Sequence, residues 1–157
     1  MAKRKFKKRT PYQKLKKETW DWCSRYIRLR DSLDYSKTTG LSKDQGFCRC
    51  YTCGRVHHIK RMQAGHCRSR GSGGLSGAYF DERFIRTQCI QCNGFAQGRP
   101  EEFRENLIRE YGEEIINEIT IKHKTNSYKT GDLLGLKAYF EQETNRLLEE
   151  TGIPKWW

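Results

Sequence analysis

A mostly helical α+β fold, with a small cysteine-clamped module set between helices, follows from three features of this 157-residue chain. Two Cys-x-x-Cys pairs, Cys50/Cys53 and Cys89/Cys92, bracket a segment that contains two short strand-like runs. Stretches on either side repeat apolar residues at three- and four-residue steps, the period of a helix face. Apolar residues make up 35% of the chain against 32% charged, so the core is small and gains from a metal staple. The division expected is a basic arm over residues 1–9 and a single domain over 10–157.

The arm carries Lys3, Arg4, Lys5, Lys7, Lys8 and Arg9 and no acid, a composition that stays disordered until a polyanion orders it. A helix is predicted over 10–37. Thr10 can cap it, Pro11 suits the first turn, and Gln13 completes a capping box. Leu15, Trp22, Tyr26, Leu29 and Leu33 form its apolar face, widened by Trp20, Cys23 and Ile27. Arg25, Arg28 and Arg30 are interleaved with that face, so one side can pack while the other meets phosphate.

Residues 36–46 read as loop, and the cysteine module spans about 48–98. Within it "IKRMQAGH" and "YFDERFIRTQ" are the expected strands, joined by the flexible "RSRGSGGLSGA", and a helix is expected behind the second cysteine pair. The part from 100 to 157 is helical, with one stripe of Phe103, Leu107, Tyr111 and Ile115 and another of Leu133, Leu136, Phe140 and Leu147. Gly112 marks a bend in the first of these.

The net charge of +12 is unevenly placed. Residues 1–70 hold 20 Lys/Arg against 5 Asp/Glu, and residues 71–157 hold 11 against 14. A one-sided positive field suits a polyanion partner, because each neutralised phosphate releases condensed counterions. Arg68, Arg70 and Arg86 join the arm, Arg25 and Arg28 as expected DNA contacts. No run approaches the ~18 apolar residues of a membrane span. The N-terminus has no apolar segment of the secretory kind, so a soluble intracellular protein is expected.

Seven cysteines do not pair evenly, and in a reducing compartment they read as metal ligands with spares. Cys50, Cys53, Cys89 and Cys92 can present four thiolates to one Zn²⁺, a closed site of the structural kind. Cys48 is an alternative to Cys50, Cys67 is a spare thiol beside His66, and Cys23 belongs to the helix core. Chemistry then needs other groups. A hairpin clamped by the metal and packed on the following helix would bring His66 and Asn93 together, with Asp81 and Glu82 as the nearest carboxylates. A neutral histidine beside a divalent ion can deprotonate water for attack on a phosphodiester. His57 and His58 read as surface or phosphate contacts.

Taken in order, "SRYIRLRD", "CYTCG", "QAGHCRSRG", "YFDERFIRTQCIQCN" and "EFRENLIREYG" resemble the NinG (Rap) family of phage recombination proteins, over roughly residues 20–115. The resemblance implies homologous recombination on branched DNA such as D-loops and Holliday junctions. It also implies an HNH-like (ββα-metal) core on a treble-clef zinc site. Phage endonuclease VII, a junction resolvase, is similar in its two zinc knuckles and in an asparagine directly after the last cysteine. By that likeness Asn93 would bind a catalytic Mg²⁺ or Mn²⁺, and His66 would be the hairpin histidine, as general base or as metal ligand. The likeness further implies a homodimer, other recombination proteins as partners, and the cytoplasm of the bacterial host as location.

The pattern departs at named positions. Family sequences read FDE-x-N-x-H-x-QC, and Phe84 and Arg86 stand at the asparagine and histidine positions. Gly65 precedes His66 where HNH motifs place aspartate or histidine, and Gly98–Arg99 stands where Gly-Asn is expected. Two functions follow. One is a metal-dependent, structure-specific endonuclease. The other, to which Phe84 and Arg86 point, is a non-catalytic, zinc-containing accessory that binds branched DNA.

Overall fold

Thr10 starts the first helix as its sequence dictates. Its Oγ1 accepts from the Gln13 N–H at 3.3 Å, and Gln13 Oε1 accepts from the Thr10 N–H at 3.0 Å. With two orphan N–H groups satisfied in this way, helix α1 runs over Pro11–Thr39 and ends at Gly40 in the left-handed conformation. The computed structural model describes residues 8–67, 77–125 and 127–157. After α1 come strands β1 (Phe47–Arg49), β2 (Val56–His58), β3 (Met62–His66) and β4 (Ile85–Cys89), then helices α2 (Pro100–Tyr111), α3 (Glu114–Thr125) and α4 (Thr130–Thr151). The result is mostly helical α+β with two small antiparallel hairpins, β1–β2 and β3–β4.

Helix α1 is the spine. Cys23, Ile27, Leu29 and Leu33 are buried on it, as are Leu133, Phe140 and Leu147 on the facing α4. Burying side chains of this size contributes about 1.5–3 kcal/mol each. Tyr26 meets Phe140 at a centroid distance of 5.6 Å, and Thr19 Oγ1 donates to the Leu133 carbonyl at 3.2 Å. The hairpins sit on the same helix: Ser32 Oγ donates to the Phe47 carbonyl of β1, and Asp31 Oδ2 accepts from the Thr87 N–H of β4.

Four expectations need correction. The β1–β2 hairpin went unread, because each of its strands has only three residues. The second expected strand begins at Ile85, not Tyr79. Asp81 caps a short helical turn there, accepting from the Arg83 N–H at 3.2 Å, and local side-chain bonding of this kind competes with a strand ladder. Behind the second cysteine pair there is one wide turn, Gln91–Phe95, and regular helix resumes only at Pro100. Between them Gly98 takes φ +86°, and Pro100 has no N–H to continue a helix. Gly112, at φ +88°, separates α2 from α3 outright, so Ile115 is buried while Tyr111 turns outward.

Candidate functional site

Two tight turns carry the four cysteines of the candidate metal centre. Cys50 and Cys53 sit where β1 turns back towards β2, and Gly54, at φ +72°, closes that turn through its N–H to the Cys50 carbonyl. Cys89 ends β4 and Cys92 lies in the wide turn that follows. The four sulfur atoms all lie within 4.8 Å of one another, and Cys53 and Cys89 are 3.8 Å apart. A tetrahedron with Zn–S bonds of ~2.3 Å has edges of about 3.8 Å, so the four could hold an ion such as zinc. Burial pushes the Cys50 thiol up, but hydrogen bonds from the backbone of Cys53 and Cys89 and from Thr52 outweigh it and bring it down to about 6. Cys48 and Cys67 are buried outside the cluster, and Cys23 lies in the α1 core.

The β3–β4 register fixes which side chains share a face. Gln63, Gly65, Arg86 and Gln88 lie on one side, and Ala64, His66, Ile85 and Thr87 on the other. Asn93 Nδ2 donates to Gln63 Oε1 at 2.7 Å, so Asn93 covers the first side. His66 leaves from the second, where its ring stacks on Trp20 of α1 at 4.5 Å and its Nε2 is 2.9 Å from the Tyr79 carbonyl oxygen. Only 8% of His66 is exposed. The hairpin thus brings Asn93 beside Gly65, the residue before His66, and does not put the two side chains in one pocket.

Gly65 is required on the Asn93 side. A β-carbon there would stand 1.8 Å from Gln88 Oε1 and 2.9 Å from Asn93 Oδ1. Gln88 lies across the glycine, with its Nε2 donating to Thr52 Oγ1 at 3.1 Å and to the Gly98 carbonyl at 2.8 Å. Its Oε1 is buried and accepts no hydrogen bond among the described residues.

The expected carboxylates are engaged. Asp81 pairs with Arg83 at 2.9 Å and Lys122 at 2.7 Å. Burial would raise its pKa, but these cations outweigh burial and lower it. Glu82 accepts from the Tyr26 hydroxyl at 2.8 Å and the Tyr139 hydroxyl at 2.9 Å, tying α1 to α4.

Several expected DNA contacts prove to be internal. Arg28 donates to the carbonyls of Ser24, Ile59 and Met62, and burial together with Arg25 pushes it down to about 10. Arg86 is 7% exposed, donating to the carbonyls of Glu82 and Ile85 and pairing with Glu110 at 2.9 Å. Both guanidiniums hold the fold instead of facing solvent. Arg25 stacks between Trp22 and Trp157, at 4.7 and 4.5 Å, and stays half-buried. Lys8 and Arg9 are exposed just ahead of α1. Lys3, Arg4, Lys5, Lys7, Arg68 and Arg70 lie outside the described residues. Arg55, Lys60 and Arg61, in the run "RVHHIKR" that sequence reasoning did not single out, are exposed around the first knuckle and the start of β3. His58 is structural, its Nδ1 accepting from the Lys60 N–H.

A family profile described as Bacteriophage Lambda NinG protein matches residues 1–150. The chain belongs to the NinG family. It is 30% identical over 98 residues to Protein ninG of Escherichia phage 933W, covering 62% of this chain and 47% of the relative. To Protein ninG of Salmonella phage P22 it is 31% identical, and to that of Escherichia phage lambda 29%, with the same coverage. The chain thus spans about half the length of the curated relatives it matches. No solved structure matches it. It is therefore a protein of the phage NinG recombination family with a four-cysteine centre, and among the described residues no helix is long and apolar enough to cross a membrane.

Proposed function

We propose that this NinG-family chain is a divalent-metal-dependent endonuclease acting on branched DNA, Holliday junctions and D-loops included, with His66 as the working base. The observation that carries this reading is the setting of His66. Trp20 fixes the plane of the ring, and a hydrogen bond from Nε2–H to the Tyr79 carbonyl fixes its orientation. A histidine held in this way can take a proton from a water that attacks a phosphodiester.

Mg²⁺ and Mn²⁺ prefer oxygen donors. Asn93 Oδ1 and Gln88 Oε1, the latter without a hydrogen-bond partner among the described residues, converge at Gly65 on the hairpin face opposite the His66 side chain, and these two residues would hold the ion. Bound there, it would supply positive charge to the scissile phosphate and the departing oxygen. Both donors are neutral amides, so binding is weaker than at a carboxylate site. The four cysteines would hold Zn²⁺ as scaffold, supplying fold stability and no chemistry of their own.

A second reading, a non-catalytic accessory that binds branched DNA, is favoured by His66 and Asn93 leaving opposite faces of the hairpin. Arg86 built into a buried ion pair, where family sequences carry histidine, points the same way. The test is incubation of zinc-loaded protein with a synthetic four-way junction and its linear arms, in Mg²⁺, in Mn²⁺ and in chelator. Junction cutting that requires the added metal is expected. Steeply salt-dependent junction binding without products would select the accessory, and no preference for branched DNA would remove both readings.

A further inference from the structure

Phe95 stands out among the large apolar side chains: it is 76% exposed, on the turn that carries Cys92 and Asn93. Exposing a phenylalanine costs hydrophobic stabilisation and invites association, so its presentation asks for an occupant. The backbone beneath it is held firmly. The N–H groups of Ala96, Gly98 and Arg99 donate to the carbonyls of Gln91, Cys92 and Ala96 at 2.9, 2.8 and 3.0 Å. Gln97 and Arg99 both adopt positive φ, +52° and +46°, which non-glycine residues rarely do and which a framework must enforce. Phe95 is therefore a fixed projection anchored on the cysteine knuckle.

Its surroundings name the occupant by charge. Ala96, the next residue, shares a 190 Å³ pocket with Arg55 of the first knuckle and with Arg99. Arg55 is exposed and has no acidic partner within salt-bridge distance among the described residues, while Arg99 pairs with Glu102 at 3.0 Å. An exposed aromatic ring, one residue away from a pocket that two guanidiniums line, suits a nucleobase stacked on the ring with its phosphates on the cations. A protein partner would be better served by a wider apolar patch than by one ring.

We infer that Phe95 is a wedge that enters the branch point of a DNA junction, stacks on an unpaired or opened base, and so places the backbone beside Asn93. Insertion costs least where stacking is already broken, so the wedge selects branched over continuous duplex DNA. This rests on the proposed action on branched DNA and adds the residue that recognises the branch.

The test compares wild type, Phe95→Ala and Phe95→Trp on a four-way junction with 2-aminopurine at the branch, and on linear duplex. Because Phe95 is exposed, both variants should fold, and zinc content and circular dichroism verify this. Phe95→Ala should lose about tenfold or more in junction affinity and the wild-type rise in 2-aminopurine fluorescence. Duplex affinity should stay unchanged, and Phe95→Trp should keep junction affinity. If Phe95→Ala binds the junction as tightly as wild type, with the same fluorescence change, the wedge is overturned and the action on branched DNA stands. If wild type does not distinguish junction from duplex, both fall.

Discussion

Gly65 carries more of the site than its size suggests. The residue before the hairpin histidine has no side chain because Gln88 and Asn93 occupy that space, with their amide oxygens 1.8 and 2.9 Å from where a β-carbon would stand. Gly65→Ala must push Gln88 off Thr52 and the Gly98 carbonyl. Overpacking of this kind costs about 1–3 kcal/mol. Chemical denaturation should show a loss in that range, and a variant as stable as wild type would mean the amides can move aside. The same geometry explains one departure from the family pattern and leaves another in place. Gln88 fills the position a residue-65 side chain would take, whereas Phe84 is simply core and Arg86 a buried tie to α2.

Among the elements, α1 was legible almost residue by residue, because its cap, its Pro11 and its apolar face are all local signals. The α4 stripe was equally clear. The four-cysteine module was legible in its cysteines and not in its strands. The spacing of Cys50, Cys53, Cys89 and Cys92 does not depend on which short runs pair, so the cluster could be named while the β1–β2 hairpin and the true start of β4 could not. The faces of the β3–β4 hairpin were hidden for a related reason: register decides them, and a one-residue shift would exchange His66 for Gly65 on the Asn93 side. Prediction at this scale is direct. Cys50→Ser should lose zinc and cooperative unfolding, because metal binding is folding energy in so small a module. Cys48→Ser, buried outside the cluster, should keep one zinc per chain, as read by metal analysis and thermal melts. Loss of zinc in Cys48→Ser would mean that the sulfur register is wrong.

Over the whole molecule, the charge asymmetry in the sequence overstates the cationic surface open to a polyanion. Arg28 and Arg86 are spent on carbonyls and Glu110, and Arg25 on two tryptophans. Among the described residues, the exposed cations around the cysteine module include Arg49, Arg55, Lys60 and Arg61, and residues 1–9 carry six more in the sequence. Deleting residues 1–9 removes six Lys/Arg, and at ~0.9 counterion per contact the slope of log affinity against log salt should fall by up to about 5. Arg28→Gln should leave that slope unchanged, and a fall there would return Arg28 to the DNA-binding face.

The central claim is that His66 works on a phosphodiester while the cysteines only hold the scaffold. Its most direct test is single-turnover cleavage of a four-way junction by zinc-loaded wild type and His66→Ala, with protein saturating and Mg²⁺ or Mn²⁺ present. Wild type should cut, and His66→Ala should be slower by about 10²–10⁴-fold, with its zinc and junction affinity intact. Equal cutting by the two proteins, or none by wild type, would contradict it.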